Sequence, residues 1–268
     1  MIKLNDTIVK PTLFPDGTSQ IWNLPNDLLK ELSGRTRVEI QWDFQSEGEL
    51  MQVAQLMMLL KGYLINRIDL FMPFLPYARQ DKYISNNTTF ALKTFLQMLK
   101  GLEINQIMAL DVHNPTYPYP INFKNIEATN YVRDVIEKWK PDAVCFPDAS
   151  SLKRYAHMVQ GLPILYCLKI RDETTGSIKN MVLSGYCKDK KVLMVDDITD
   201  GGATFIGAAS LLYEQGADDV GLYTTHGIYS KGLKVLTNAG ISSIFNYKGQ
   251  VSTDHDGHIM YTPLKGNK

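Results

Sequence analysis

The sequence predicts an α/β protein of two successive halves, each a mostly parallel sheet flanked by helices. Three observations predict it. Short apolar runs alternate with longer segments of helical period along nearly the whole chain, the rhythm of βαβ units. A stretch rich in Pro, Asn and Tyr (NPTYPYPINFKN, residues 114–125) lacks helical period and breaks that rhythm at mid-chain. The halves it separates, 1–120 and 121–268, each have an ordinary domain size.

Residues 37–44 (RVEIQWDF) alternate as a strand, and 48–63 form a helix rich in Leu and Met. Residues 67–74 read as a buried strand, 89–100 as a helix and 104–112 as a strand. The second half repeats the pattern. Strands are expected at 143–146, 164–169, 192–195, 220–225 and 243–245, with helices at 150–160, 202–215 and 231–238.

Composition narrows the functional classes. Apolar residues make up 44% of the chain and charged residues 21%, as in a globular protein with a buried core. Basic and acidic residues number 28 each, so no basic excess points to a nucleic-acid partner. Zero net charge gives little repulsion between copies and permits self-association. Cys145, Cys167 and Cys187 match neither a disulfide framework nor zinc-ligand spacing. Cys145 and Cys167 lie in apolar runs and read as core, which fits a reducing cytoplasm. The N-terminus shows no signal-peptide pattern, and no membrane contact is expected. The longest apolar run, residues 50–60, is interrupted by Gln52 and Gln55 and is too short to span a bilayer.

The strongest local signal is VLMVDDITDGGATF, residues 192–205. An apolar strand is followed by Asp196 and Asp197, and Asp200-Gly201-Gly202-Ala203-Thr204 then opens a helix. Ligands of open α/β sheets bind beyond the carboxyl ends of strands. Glycines let backbone N–H groups approach a phosphate, and the helix N-terminus adds partial positive charge. The two carboxylates can accept hydrogen bonds from vicinal sugar hydroxyls. The pattern reads as a site for a phosphorylated sugar. It is not a Walker loop, since no Gly-Lys-Ser/Thr follows.

This segment resembles the phosphoribosyl-pyrophosphate (PRPP) loop shared by type I phosphoribosyltransferases and ribose-phosphate pyrophosphokinases (PRPP synthetases). Residues 71–82, FMPFLPYARQDK, separate the two, because Tyr-Ala-Arg-Gln-Asp resembles the nucleotide loop of the pyrophosphokinases alone. The resemblance runs from Phe14 to about Gly232 and implies two tandem type I phosphoribosyltransferase-like domains. It implies ATP contacts from Arg79, Gln80 and Asp81. Arg79 offers a planar fork of donors for phosphate. His113, in Asp111-Val112-His113, is placed at the ATP phosphates and the metal.

Pro147-Asp148 resembles the family's Pro-Asp-x-Gly-Gly, with Ala149-Ser150-Ser151 where the glycines would stand. Asp148 is the expected magnesium-side carboxylate. Lys153 and Arg154 read as structural or loosely phosphate-facing. Lys169 and Arg171 match the family's Lys-x-Arg, which stabilises the group in transfer. Residues 172–180 have the composition of a mobile catalytic loop. Phe14-Pro15-Asp16-Gly17-Thr18 resembles the Phe-Ser-Asp-Gly-Glu run that contacts adenine from a neighbouring subunit, with Thr18 replacing Glu. Phe14 and Asp16 are thus adenine-site residues, and a homo-oligomer of at least two copies is implied. Thr224-Thr225-His226-Gly227 reads as structural.

The implied reaction uses Mg²⁺, with ATP as co-substrate, and moves a pyrophosphoryl group onto the anomeric hydroxyl of ribose 5-phosphate. ADP-ribose is an alternative acceptor, because Asp-Gly-Gly-Ala-Thr replaces the usual Asp-Thr-Ala-Gly-Thr and would leave room beyond the 5-phosphate. A PRPP-consuming transferase and a non-catalytic homologue of the synthetase are further readings. The Tyr-Ala-Arg-Gln-Asp run opposes the first, and the retained cations oppose the second.

Overall fold

The computed structural model describes residues 1–22, 24–171 and 178–264, with backbone only at 169–171 and 178–180. The chain divides into two compact units, Met1–Ile126 and Glu127–Lys268.

The first unit opens with β1 (Ile2–Leu4), β2 (Thr7–Val9), the short pair β3 (Thr12–Leu13) and β4 (Ser19–Gln20), and α1 (Asn26–Leu32). Then come β5 (Arg37–Trp42), α2 (Glu49–Gly62), β6 (Arg67–Met72), α3 (Ala91–Gly101), β7 (Gln106–Leu110) and β8 (Phe123–Ile126). The six-stranded sheet runs β2-β1-β5-β6-β7-β8. Strands β5 to β8 are parallel, while β1 pairs antiparallel with both β2 and β5. The alternation predicted at residues 37–44 is visible in β5, where Val38, Ile40 and Trp42 are buried. Residues 123–126 begin inside the stretch that sequence alone reads as irregular. They form β8 because Ile107↔Phe123 to Leu110↔Ile126 pair them with β7, so the division falls after Ile126 rather than at residue 120.

The second unit contains α4 (Thr129–Trp139), β9 (Ala143–Phe146), α5 (Ala149–Tyr155), β10 (Ile164–Arg171), β11 (Ile178–Ser184) and β12 (Lys191–Thr199). It continues with α6 (Ala203–Glu214), β13 (Asp219–Gly227), α7 (Lys234–Thr237), β14 (Ile241–Asn246), β15 (Gly249–Thr253) and β16 (Ile259–Thr262). Its eight-stranded sheet runs β11-β10-β9-β12-β13-β14-β15-β16. The five central strands are parallel, and β11, β15 and β16 are antiparallel edges. Apolar residues pack both faces. Phe205, Ala208 and Leu212 of α6 cover one, and Val132, Val135 and Trp139 of α4 cover the other. Cys145 and Cys167 are buried on adjacent strands with their sulfurs 3.9 Å apart.

Several expected bounds change. The helix expected at 150–160 is α5 followed by a 3₁₀ turn at Ala156–Met158. The helix expected at 231–238 shrinks to α7, whose four residues begin after Gly232 adopts a positive φ. Strand β12 extends through Asp196 and Asp197 instead of ending before them, because β13 pairs with it as far as Thr199↔Gly227. Among the described residues, no helix is long and apolar enough to cross a membrane.

Candidate active site

In the second unit, the acidic pair belongs to a strand, so its two side chains project to opposite faces. Asp197 is buried. Its carboxylate pairs with the Arg154 guanidinium at 3.1 Å, both side chains being largely enclosed. Arg154, read as structural or loosely phosphate-facing, comes from the last turn of α5 and neutralises one member of the pair. Asp196 is half-buried and accepts from the Asp197 backbone N–H at 2.9 Å. Burial, then the charges of Asp197 and Asp148, hold its carboxyl well above the usual carboxylate range.

Asp148 caps α5. Its Oδ1 accepts from the Ser150 and Ser151 backbone N–H groups at 3.0 Å each, and the Ser151 hydroxyl accepts from the Asp148 N–H. Through this capping box the loop closes on a side-chain cap, with Ser150 and Ser151 in the first turn of the helix.

Residues 200–204 turn the chain from β12 into α6. Gly202 has φ of +79°, the left-handed region that favours glycine, and serves as the N-cap of α6. A Cβ there would lie 2.7 Å from Leu236 Cδ2. Gly201 is under no such demand, since its Cβ would meet only the Lys231 side chain, at 3.5 Å. The Ser230 hydroxyl donates to Asp200 Oδ1, which ties the loop after β13 to this turn. Ala203 and Thr204 form the first turn of α6, where backbone N–H groups have no partner within the helix. The turn can therefore take an anionic group.

Lys169 and Arg171 end β10 by their backbone, two residues apart; their side chains lie outside the described residues. Of the catalytic loop expected at 172–180, residues 172–177 also lie outside them. Within β13, Thr224 is buried and its hydroxyl meets that of Thr199 of β12 at 2.7 Å. Gly227 lies against the Tyr229 ring.

In the first unit, the Tyr-Ala-Arg-Gln-Asp run follows β6 and is anchored at its start. Tyr77 has φ of +63°. Its ring packs on Phe44 and Phe95, with centroids 6.2 and 5.2 Å away. Its hydroxyl donates to Glu47 at 2.6 Å. That bond, with burial and the Glu47 charge, raises the Tyr77 phenol to about 12. Arg79 and Gln80 beyond it are exposed. Asp81 Oδ2 accepts from Asn114 Nδ2 at 2.9 Å. Asp111 is buried with φ of +46° after β7, and His113 is exposed two residues on. Unit 1 thus brings the Arg79–Asp81 run and the His113 loop together through Asn114.

Phe14 to Thr18 form the turn of the β3–β4 hairpin, with Phe14 N–H donating to Thr18 O at 2.9 Å. Asp16 Oδ1 accepts from the Thr18 hydroxyl at 2.7 Å and from its N–H at 3.0 Å. Those bonds hold the Asp16 carboxyl below its usual range. Thr18, in place of Glu, therefore shapes the turn. Gln52 and Gln55, the polar breaks in the apolar run, pin the hairpin to α2: Gln55 bonds Ile21 N–H and Ser19 O at 2.8 Å each. Sequence reading assigned no role to Tyr77, Asn114 or these glutamines. The glutamines' position inside an apolar helix was the available signal. Asn114 carried none, since its partner is set by loop geometry.

The family model of the phosphoribosyl transferase domain matches residues 124–251. Ribose-phosphate pyrophosphokinase 2 of Schizosaccharomyces pombe is 28% identical over 187 residues, covering 66% of this chain and 58% of that protein. The chain thus spans less than two thirds of that relative. The ribose-phosphate pyrophosphokinase of Pyrococcus abyssi is 27% identical over 227 residues, covering 82% of this chain and 76% of that protein. Among solved structures, phosphoribosylpyrophosphate synthetase from Mycobacterium smegmatis superposes with a TM-score of 0.71 at 23% identity, covering 88% of this chain and 78% of that one. This last likeness bears on the fold: an α/β protein of two domains.

Proposed function

We propose, from the premise that the chain is a divergent member of the ribose-phosphate pyrophosphokinase family, that it transfers the pyrophosphoryl group of ATP to the anomeric hydroxyl of ribose 5-phosphate, forming PRPP and releasing AMP. The observation that carries this reading is the turn at Gly202: an acid-bearing strand leads through a left-handed glycine into a helix N-terminus. A transferase that consumes PRPP needs the same turn. The match to the Pyrococcus relative, longer than either unit alone, favours the kinase.

In this reading the 5-phosphate lies against Asp200, Gly201, Gly202, Ala203 and Thr204, where backbone N–H groups and the helix dipole favour an anion. Asp196 and Asp197 serve the ribose hydroxyls. Asp197 acts while paired with Arg154. Arg79, Gln80 and His113 bind ATP, and Phe14 and Asp16 flank the adenine of a neighbouring copy in an assembly of at least two chains. Lys169 and Arg171 neutralise the group in transit. Phosphoryl-type transfer asks little covalent chemistry of the protein, so positioning and charge stabilisation carry the rate.

Mg²⁺ fits the residues present. The crowding of Asp148, Asp196 and Asp197, which raises the Asp196 carboxyl, is relieved by a hard cation with oxygen ligands. Asp148 would hold it, and the ion would neutralise phosphate oxygens of ATP.

The test incubates the protein with Mg-ATP and either ribose 5-phosphate or ADP-ribose and measures AMP. Release with ribose 5-phosphate is expected. Release with ADP-ribose alone would move the assignment to the larger acceptor, and no release with either would overturn it.

A further inference from the structure

We propose that Asn114 is a positioning residue for the nucleotide, holding Asp81, and with it the Arg79–Gln80–Asp81 run, in register with His113. The proposal rests on the ATP-dependent reading above and adds a residue to which that reading gives no role.

Strands β6 and β7 are parallel neighbours, with Met72 opposite Ala109. The two segments leave the same edge of the sheet, and a side-chain latch joins them. Asn114 Oδ1 accepts from the Thr116 backbone N–H at 3.2 Å and from the Thr116 hydroxyl at 2.9 Å. Asn114 Nδ2 donates to Asp81 Oδ2 at 2.9 Å. The amide can face only one way. A backbone N–H has nothing to accept with, and an ionised carboxylate has nothing to donate. The two Thr116 bonds therefore aim the amide donor at Asp81. The Tyr119 hydroxyl also donates to the Asn114 carbonyl at 3.1 Å, which fixes the backbone at the latch.

Flanking contacts keep the latch in place. The Tyr83 ring meets Phe90 edge-on with centroids 5.5 Å apart, and Phe90 meets Tyr117 at 5.6 Å. Tyr117 meets Tyr119 at 5.1 Å, and Tyr119 stacks on Phe123 at 3.8 Å. The far side of the Arg-Gln-Asp run is tied to α3, where Leu92 N–H donates to Gln80 O at 3.2 Å. Arg79 and Gln80 are exposed between these fixed points. Two loops that both serve one nucleotide must keep a fixed spacing, or binding has to supply the ordering cost. Asn114 is adjacent in sequence to His113, so the latch acts on both loops at once.

The experiment compares three variants with the wild type. Asn114→Asp keeps an acceptor for Thr116 and sets two carboxylates face to face. Asp81→Asn keeps an acceptor for the Asn114 amide. The double variant, D81N with N114D, restores an amide–carboxylate pair with the roles exchanged. N114D is expected to raise KM for Mg-ATP about tenfold, the scale of a lost hydrogen bond to a charged group. KM for ribose 5-phosphate should stay within about twofold, since a change confined to one substrate's binding leaves the other unmoved. The double variant should recover most of the Mg-ATP loss, a coupling the two single changes cannot produce if they act independently.

Unchanged KM for Mg-ATP in N114D would overturn the proposal. A parallel rise for both substrates with a lowered Tm would do so too, because that marks a structural role. No recovery in the double variant would mean that Asp81 does not act through Asn114. If the wild type releases no AMP, the functional reading fails by itself. Titration of the same four proteins with a non-hydrolysable Mg-ATP analogue then tests the latch, with the same ordering of affinities expected. Absence of nucleotide binding by the wild type would sink both.

Discussion

At the scale of single residues, charge and burial give opposing demands on the acids of β12. Asp197 is paired with Arg154, whereas Asp196 carries the cost of its surroundings. Its folded pKa lies above the ordinary 3.8, so the folded chain holds this proton more tightly than the unfolded chain. Stability then falls as pH rises from about 4 through the raised value, and the full penalty persists above it. Asp196→Asn should raise Tm at neutral pH in metal-free buffer, by about 2–4 °C for each kcal/mol relieved. The gain should vanish below about pH 4. The same change should weaken sugar-phosphate binding, and a calorimetric titration with unchanged affinity would count against Asp196 as a sugar ligand. Lys169→Ala should lower kcat by about 10²–10³-fold with little change in KM, as expected for a contact made only in the transition state. A pure KM defect in steady-state assays would refute that role.

Secondary-structure elements set where these residues can act. The acid pair is positioned by β12 remaining paired to β13 through Thr199↔Gly227, and the turn from β12 into α6 depends on one glycine. Gly202→Ala should destabilise the second unit by about 2–4 kcal/mol, from the left-handed φ and from crowding against Leu236. Urea unfolding measures this, and a loss under about 0.5 kcal/mol would show that the turn relaxes freely. Gly201 offers a contrast within the same dipeptide, because its neighbour is the flexible side chain of Lys231. Helix α5 shows a different solution: a capping box built from Asp148 and Ser151 closes a loop that lacks glycines.

At the scale of the whole molecule, each unit carries one part of the proposed chemistry. The first holds the Arg79–Asp81 run and His113, and the second holds the acids and the glycine turn. AMP release from Mg-ATP that depends on ribose 5-phosphate is the expected property of the intact chain. The eight-stranded sheet of the second unit ends in the antiparallel strands β15 and β16. The match to the phosphoribosyl transferase domain ends at residue 251, inside β15.

Periodicity and local motifs determined much of this protein. The parallel core strands, the long helices α2, α3 and α6, and the turn at Asp200–Thr204 are all legible as residues near one another in the chain. Strand β8 and helix α4 were not. Phe123–Ile126 is too short and polar to signal a strand, and only pairing with β7 makes it one. Tertiary structure also decided that Arg154 neutralises Asp197, that Tyr77 is anchored by Glu47, and that Asn114 reaches Asp81. Each of these pairs joins residues about 30 to 45 positions apart. A sequence pattern reports which side chains share a face of one element, whereas a hydrogen bond between two loops exists only after the sheet has brought their strand ends together.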